Sequence, residues 1–250
     1  MTERVRVPAL QALAPGSGVT VDGPRGHHLA RVSRVRPGDP VEVFDGLGWA
    51  CDARVESVKE GAVTLCLGTA SPGVVADRAG VLWLQGVPKG DKLEQVVRQA
   101  TELGVRAVQP VYTQRSVPRP RDPQALHQRL LRVAEEAARP CGRADVPAIL
   151  QAGALGHALE AVPEATLARF VAWEGATPGL AETVRRAPPG PCAVLAGPEG
   201  GFAMDEVQLA QGKGFRAVRL GPRMLRAETV APALLAALSV LRGDLSEGGF

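Results

Sequence analysis

The 250-residue chain has a net charge of +3, with 45% hydrophobic and 22% charged residues. These are ordinary globular values, and they exclude a collagen-like, disordered or bilayer-spanning chain. One large domain or two modest ones can each bury a core at this length.

The opening MTERVRVPAL lacks the apolar core of a signal peptide, so a cytoplasmic location without membrane attachment is expected. Cys51, Cys66, Cys141 and Cys192 lie far apart, with no C-x-x-C and no histidine at ligand spacing. They read as isolated small hydrophobes, and no metal is expected. Positive charge gathers early: Arg4, Arg6, Arg25, Arg31, Arg34 and Arg36 face only Glu3 and Asp22. A second cluster holds Arg115, Arg119 and Arg121. Arginine suits bidentate phosphate contacts, although a general preference for Arg over Lys would give the same composition.

In chain order, residues 1–70 read as a small β domain. Val41 and Val43, then Val63, Leu65 and Leu67, alternate as strands do, and Asp45-Gly46 and Glu60-Gly61 supply turns. His27 to Val35 has apolar residues at intervals of three, consistent with a short helix. Residues 71–80 have a linker composition. From Val81 strands alternate with helices: strands over 81–87, 105–112, 167–173, 192–196 and 215–220, helices over 92–103, 123–139, 204–212 and 230–242. That alternation predicts an α/β domain with a parallel sheet and helices on both faces. Pro232 fits early in the last helix.

The chemistry concentrates near the C-terminus. LAGPEGG (195–201) and RLGPRMLRAET (219–229) each read as a strand running into a glycine-bearing loop and then a helix. Such loops bring backbone groups to a ligand without side chains in the way. The first loop has neither the Lys-Ser/Thr of a Walker motif nor a G-x-G-x-x-G fingerprint, which disfavours a nucleotide phosphate. Taken alone, this loop reads first as an ordinary tight turn. In the second loop Arg226 and Glu228 stand two residues apart, and helix capping is the structural alternative for Glu228.

LAGPEGGF with LGPRMLRAET resembles the paired signature of SPOUT, or trefoil-knot, methyltransferases. More narrowly, it resembles the bacterial 16S rRNA uridine-N3 methyltransferases. HHLARVSRVRPGD, FDG, KGDKLEQVVRQATELGV, TQRS and EEAARPCGRADVP extend the likeness over nearly the whole chain.

The resemblance implies a PUA-like N-terminal β-barrel (1–70), a linker and a knotted α/β domain (81–250). It also implies a homodimer acting on 16S rRNA or the small ribosomal subunit, with S-adenosylmethionine as methyl donor. Leu195, Gly197, Gly200, Leu220, Gly221, Leu225 and Arg226 would hold the donor. Arg226 would steady a uracil anion, and Glu228, or else Glu199 or solvent, would take its proton. Arg4, Arg6, His28, Arg31, Arg34 and Arg115 would contact RNA. The family more often has Thr where this chain has Ala227, which puts a hydroxyl role there in doubt. The alternative function is a non-catalytic RNA-binding protein whose second domain is a dimer platform.

Overall fold

A computed structural model describes residues 2–116, 122–177 and 179–246. The chain forms two compact units, 1–75 with 138–146, and 76–137 with 147–250. The boundary thus differs from the one expected: the segment 138–146 belongs to the first unit.

In the first unit, β1 (Glu3–Arg6), β2 (Gly18–Val21), β3 (Pro40–Phe44), β4 (Trp49–Lys59), β5 (Ala62–Leu67) and β6 (Ser71–Pro72) form one sheet, with α1 at Gly23–His27. Its order is β1-β3-β4-β5-β2, and β6 pairs with β4. Residues 71 and 72, expected as linker, therefore extend the sheet. The β4–β5 hairpin turns on Glu60 (φ 51°) and Gly61 (φ 84°), the pair of positive dihedrals that a tight right-twisted hairpin needs. Inward Val41, Val43, Val55, Val63, Leu65 and Leu67 alternate with outward residues and fill the core. The ambiguous stretch after His27 is helical, with five-residue π geometry over His28–Val32, and Arg34 follows at φ 55°.

The second unit contains β7 (Leu82–Gly86), α2 (Lys92–Glu102), β8 (Ala107–Tyr112), α3 (Pro123–Ala138), β9 (Ala148–Ile149), β10 (Gly153–Ala154), α4 (Leu155–Glu160), β11 (Ala168–Ala172), α5 (Leu180–Arg185), β12 (Cys192–Ala196), α6 (Met204–Gly212), β13 (Arg216–Val218) and α7 (Ala227–Arg242). The sheet runs β10-β8-β7-β12-β11-β13, with β9 beside β8, and every pairing is parallel. The chain passes from β10 over to β11, then returns to insert β12 between β7 and β11. All five residues of β12 are buried, as a strand covered on both faces requires.

The helix α2 buries Leu93, Val96, Val97 and Ala100. Gly104, at φ 79°, turns the chain after it where a Cβ would stand 2.7 Å from that of Asp77. The last helix starts three residues earlier than expected, which makes Pro232 its sixth residue. Pro232 lacks the N–H that would reach the Glu228 carbonyl, yet the helix continues to Arg242. Among the described residues, no helix is long and apolar enough to cross a membrane.

Candidate active site at the strand ends

The loops after β11, β12 and β13 meet at the C-terminal edge of the sheet, where ligands of open α/β sheets bind. A cleft of about 440 Å³ is walled by residues 197–202, by Glu174, by 224–227 and by Lys92. A smaller pocket of about 120 Å³ adjoins it along Trp173, Val218, Leu220 and Pro222.

The 197–201 loop is tied down from several sides. Gln85 is fully buried. Its Nε2 donates to the Gly197 carbonyl at 3.1 Å, and its Oε1 accepts from Trp83 Nε1 at 2.9 Å. Gly86 lies under the loop, where a Cβ would stand 2.5 Å from Pro198 Cδ. Arg115 Nη1 donates to the Gly200 carbonyl at 2.7 Å, and its side chain lies against Gly200. The adjoining Gln114 N–H donates to Glu206, which also reaches back to the Ala203 N–H at the start of α6. This is the carboxylate half of a capping box, since Ala203 has no side-chain acceptor.

Charge is arranged around Lys92, the first residue of α2. Its Nζ lies 3.0 Å from Glu199 Oε1 and 3.6 Å from Glu228 Oε2. Glu199 also accepts the Lys89 N–H at 3.1 Å. Burial would raise the Glu199 carboxyl. Its own backbone N–H, Lys92 and the Lys89 N–H together outweigh that and hold it below the usual carboxylate range. The hydrogen bond to Glu199 raises Lys92 in turn, against a smaller opposing effect of desolvation. Glu228 Oε2 is buried without a hydrogen bond.

The second loop differs. Met224 is 78% exposed, and Arg219 braces the turn by donating to the carbonyls of Gly221 and Pro222. Arg226 is exposed at the N-terminal boundary of α7, and its guanidinium has no partner among the described residues. Ala227 is buried in the first turn.

Of the residues expected to hold a donor, Gly197, Gly200, Leu225 and Arg226 line the cleft and Leu220 lines its extension. Gly221 forms the turn of the second loop at φ 73°. Leu195 is fully buried in β12, with its side chain in the core. Glu228 and Glu199 converge on Lys92, a cleft residue that the sequence pattern left as an ordinary helix start. Gln85 was also missed.

The expected RNA contacts divide. Arg4 is a correction: it is only 8% exposed. Its Nη1 donates to the carbonyls of Ala138, Arg139 and Arg143, its Nη2 pairs with Glu42 at 2.8 Å, and its guanidinium stacks on Phe44. It fastens segment 138–146 to the first unit's sheet and is not free to grip phosphate. Arg6 is half-buried, with Nε donating to the Asp45 carbonyl. His28 is half-buried, whereas Arg31 and Arg34 are exposed. Arg115 is partly committed to Gly200, and Arg119 and Arg121 lie outside the described residues. Among the described residues, no group of three His, Cys, Asp or Glu side chains is placed to hold a metal. All four cysteines are free, and burial pushes the Cys192 thiol up to about 11, which suits a core residue.

Residues 78–240 match an RNA methyltransferase domain and residues 21–65 an RNA methyltransferase PUA domain. The chain is 34% identical to the ribosomal RNA small subunit methyltransferase E of Synechocystis sp., over 89% of this chain and 73% of that one. This chain belongs to the ribosomal RNA small subunit methyltransferase E family.

The family member from Mycobacterium tuberculosis is 32% identical over 90% of this chain and 87% of its own. A crystal structure of the Neisseria gonorrhoeae family member bound to S-adenosyl methionine superposes with a TM-score of 0.89 at 28% identity, covering 97% of this chain and 99% of that one. A putative methyltransferase from Legionella pneumophila, also in complex with that cofactor, gives 0.89 at 26% identity over 98% and 99%. The fold is therefore the SPOUT α/β knot preceded by a PUA-like unit.

Proposed function

We propose that this chain methylates N3 of a specific uridine in the decoding region of 16S rRNA, with S-adenosylmethionine as donor. The observation that carries the reading is two groups two residues apart: Arg226, which lines the cleft, and Glu228, which lies 3.6 Å from the cleft residue Lys92. One is a guanidinium without a partner among the described residues. The other is a carboxylate with a buried oxygen that no hydrogen bond satisfies. Buried polar atoms are normally satisfied, so an exception at a cleft points to a ligand.

The cleft fits the donor. Its volume falls within the range of about 300–1,000 Å³ typical of small-molecule sites. The exposed Glu174 carboxylate on its wall suits a cation, and Gly197, Gly200 and Gly201 line it without side chains in the way. The residues that would hold it are Gly197, Gly200, Leu220, Gly221, Leu225 and Arg226. When bound, S-adenosylmethionine supplies an electrophilic methyl group on a sulfonium.

This chain's residues then have two tasks. Uracil N3 carries a proton and attacks poorly until that proton leaves. Glu228 is the better acceptor, because Glu199 is already held ionised by three donors and is correspondingly less basic. As N3 loses its proton, charge spreads onto O2 and O4, where the Arg226 guanidinium stabilises it. Arg31 and Arg34 are among the exposed cations of the first unit and would contact phosphate. The reading also carries a cytoplasmic homodimer, which analytical ultracentrifugation would check.

The test is mass spectrometry of 16S rRNA from a deletion strain and its complemented parent. Loss of one 3-methyluridine on deletion is expected, with recovery by the wild-type gene and none by Arg226→Ala. An unchanged methyluridine content would end the proposal. Calorimetry with S-adenosylmethionine, ATP and NAD separates it from a nucleotide-dependent enzyme and from a purely RNA-binding protein.

A further inference from the structure

We propose that Lys92 is a positioning residue that yokes the two glycine loops and keeps the Glu228 carboxylate in place for proton abstraction; this rests on the function proposed above. Lys92 lines the cleft, and its ammonium stands between Glu199 of one loop and Glu228 behind the other, at 3.0 and 3.6 Å. Among the described residues it is the cation paired with both carboxylates.

The longer contact is informative. At 3.6 Å Lys92 Nζ is at the limit of hydrogen-bond distance from Glu228 Oε2, a buried oxygen with no closer partner, so Lys92 is the group that holds this carboxylate. Without Lys92, the two carboxylates that converge on it would have no cation between them, and like charges move apart or take up a proton. Arg226 offers no substitute, because it pairs with neither. Lys92 and Glu199 are each about one-third exposed, at 33% and 30%, and such ion pairs contribute little to stability. The yoke accordingly governs geometry at the site rather than the strength of the fold.

The experiment uses the full chain with S-adenosylmethionine and 16S rRNA substrate, comparing wild type, Lys92→Met, Lys92→Arg, Glu228→Gln and the Lys92→Met/Glu228→Gln double variant. Lys92→Met should lower kcat by about tenfold to a hundredfold, as misplacement of a reacting group does, with an almost unchanged melting temperature. Lys92→Arg should recover most of the rate. In the double variant, Lys92→Met should add less than about threefold to the loss from Glu228→Gln, the non-additivity expected of two residues acting as one unit.

A wild-type kcat in Lys92→Met, or multiplying losses in the double variant, would overturn the positioning role while leaving the methyl transfer intact. A wild-type protein that neither binds S-adenosylmethionine nor makes methyluridine overturns both. Should Lys92→Met unfold, Lys92→Arg carries the decision: recovery supports the yoke, and a loss equal to that of Glu228→Gln overturns it.

Discussion

The two loops of the cleft are built on opposite plans. The 197–201 loop is gripped from below by Gln85 and Gly86, from the side by Arg115 and from the front by Lys89 and Lys92. The 219–226 loop stands in the open, with Met224 exposed and Arg226 unpartnered among the described residues. A preset wall fixes where a ligand sits without ordering cost at the moment of binding. An unpartnered guanidinium has no existing contact to break when charge develops beside it. On the proposed function, position thus resides in the first loop and chemistry in the second.

The largest effect should come from the open loop. Arg226→Ala should lower kcat about a hundredfold to a thousandfold, the range for deleting one stabiliser of developing charge. Its melting temperature should stay near the wild-type value, since the side chain supports nothing in the fold. Steady-state kinetics alongside thermal melts would show this split. A melt that falls along with kcat would erase the contrast between the loops.

Next comes the floor of the anchored loop. In Gly86→Ala, the new methyl would meet Pro198 Cδ at 2.5 Å and Pro198 N at 2.7 Å. Neither atom belongs to a flexible side chain, so the loop itself must shift. A displacement of that order lowers activity by about a hundredfold, and overpacking destabilises by about 1–3 kcal/mol. Here S-adenosylmethionine affinity and the melt should fall together, unlike in Arg226→Ala. Calorimetry on the variant checks it.

How far the sequence discloses this contrast depends on the range of the contacts. The run CAVLA discloses a strand buried on both faces, and β12 has the expected limits. The glycine loops and Arg226 are local patterns in the sequence, and they line the cleft. The ties that anchor one loop and spare the other are not local: Gln85 reaches Gly197 across 112 positions, and nothing in the helical pattern of KLEQ distinguishes Lys92 from a solvated lysine. Arg4 misled for the same reason. Its residue type suggests a basic surface, but the carbonyls that enclose it come from residues 138–143.

A smaller effect is expected one layer deeper. Gln85→Leu removes the donor to the Gly197 carbonyl and strands the buried Trp83 N–H. An unsatisfied buried donor costs about 1–3 kcal/mol, so the melt should drop while kcat falls only severalfold, because the ties from Arg115, Lys89 and Lys92 persist. Differential scanning calorimetry against a kcat measurement sorts this out. A kcat loss as large as that of Gly86→Ala would mean the loop hangs on Gln85 alone.

The smallest expected effect is a flat line. Glu199 sits below its ordinary value of 4.5, so its contribution to the tie is complete above that pH and lost only as pH falls through the depressed value. Lys92 is raised above 10.5, so its share is complete below that pH and lost only as pH rises through the higher value. The two windows overlap across the whole neutral range. The Lys92–Glu199 tie is therefore constant there, and S-adenosylmethionine affinity should not slope with pH on its account. On the proposed function, any rise of kcat between about pH 6 and 9 then belongs to the uracil proton, whose departure higher pH favours. Titrating affinity and kcat over that range in wild type and Lys92→Met tests the division. An affinity slope present in wild type and absent from the variant would place titration in the anchored loop and reverse the assignment of chemistry to the open one.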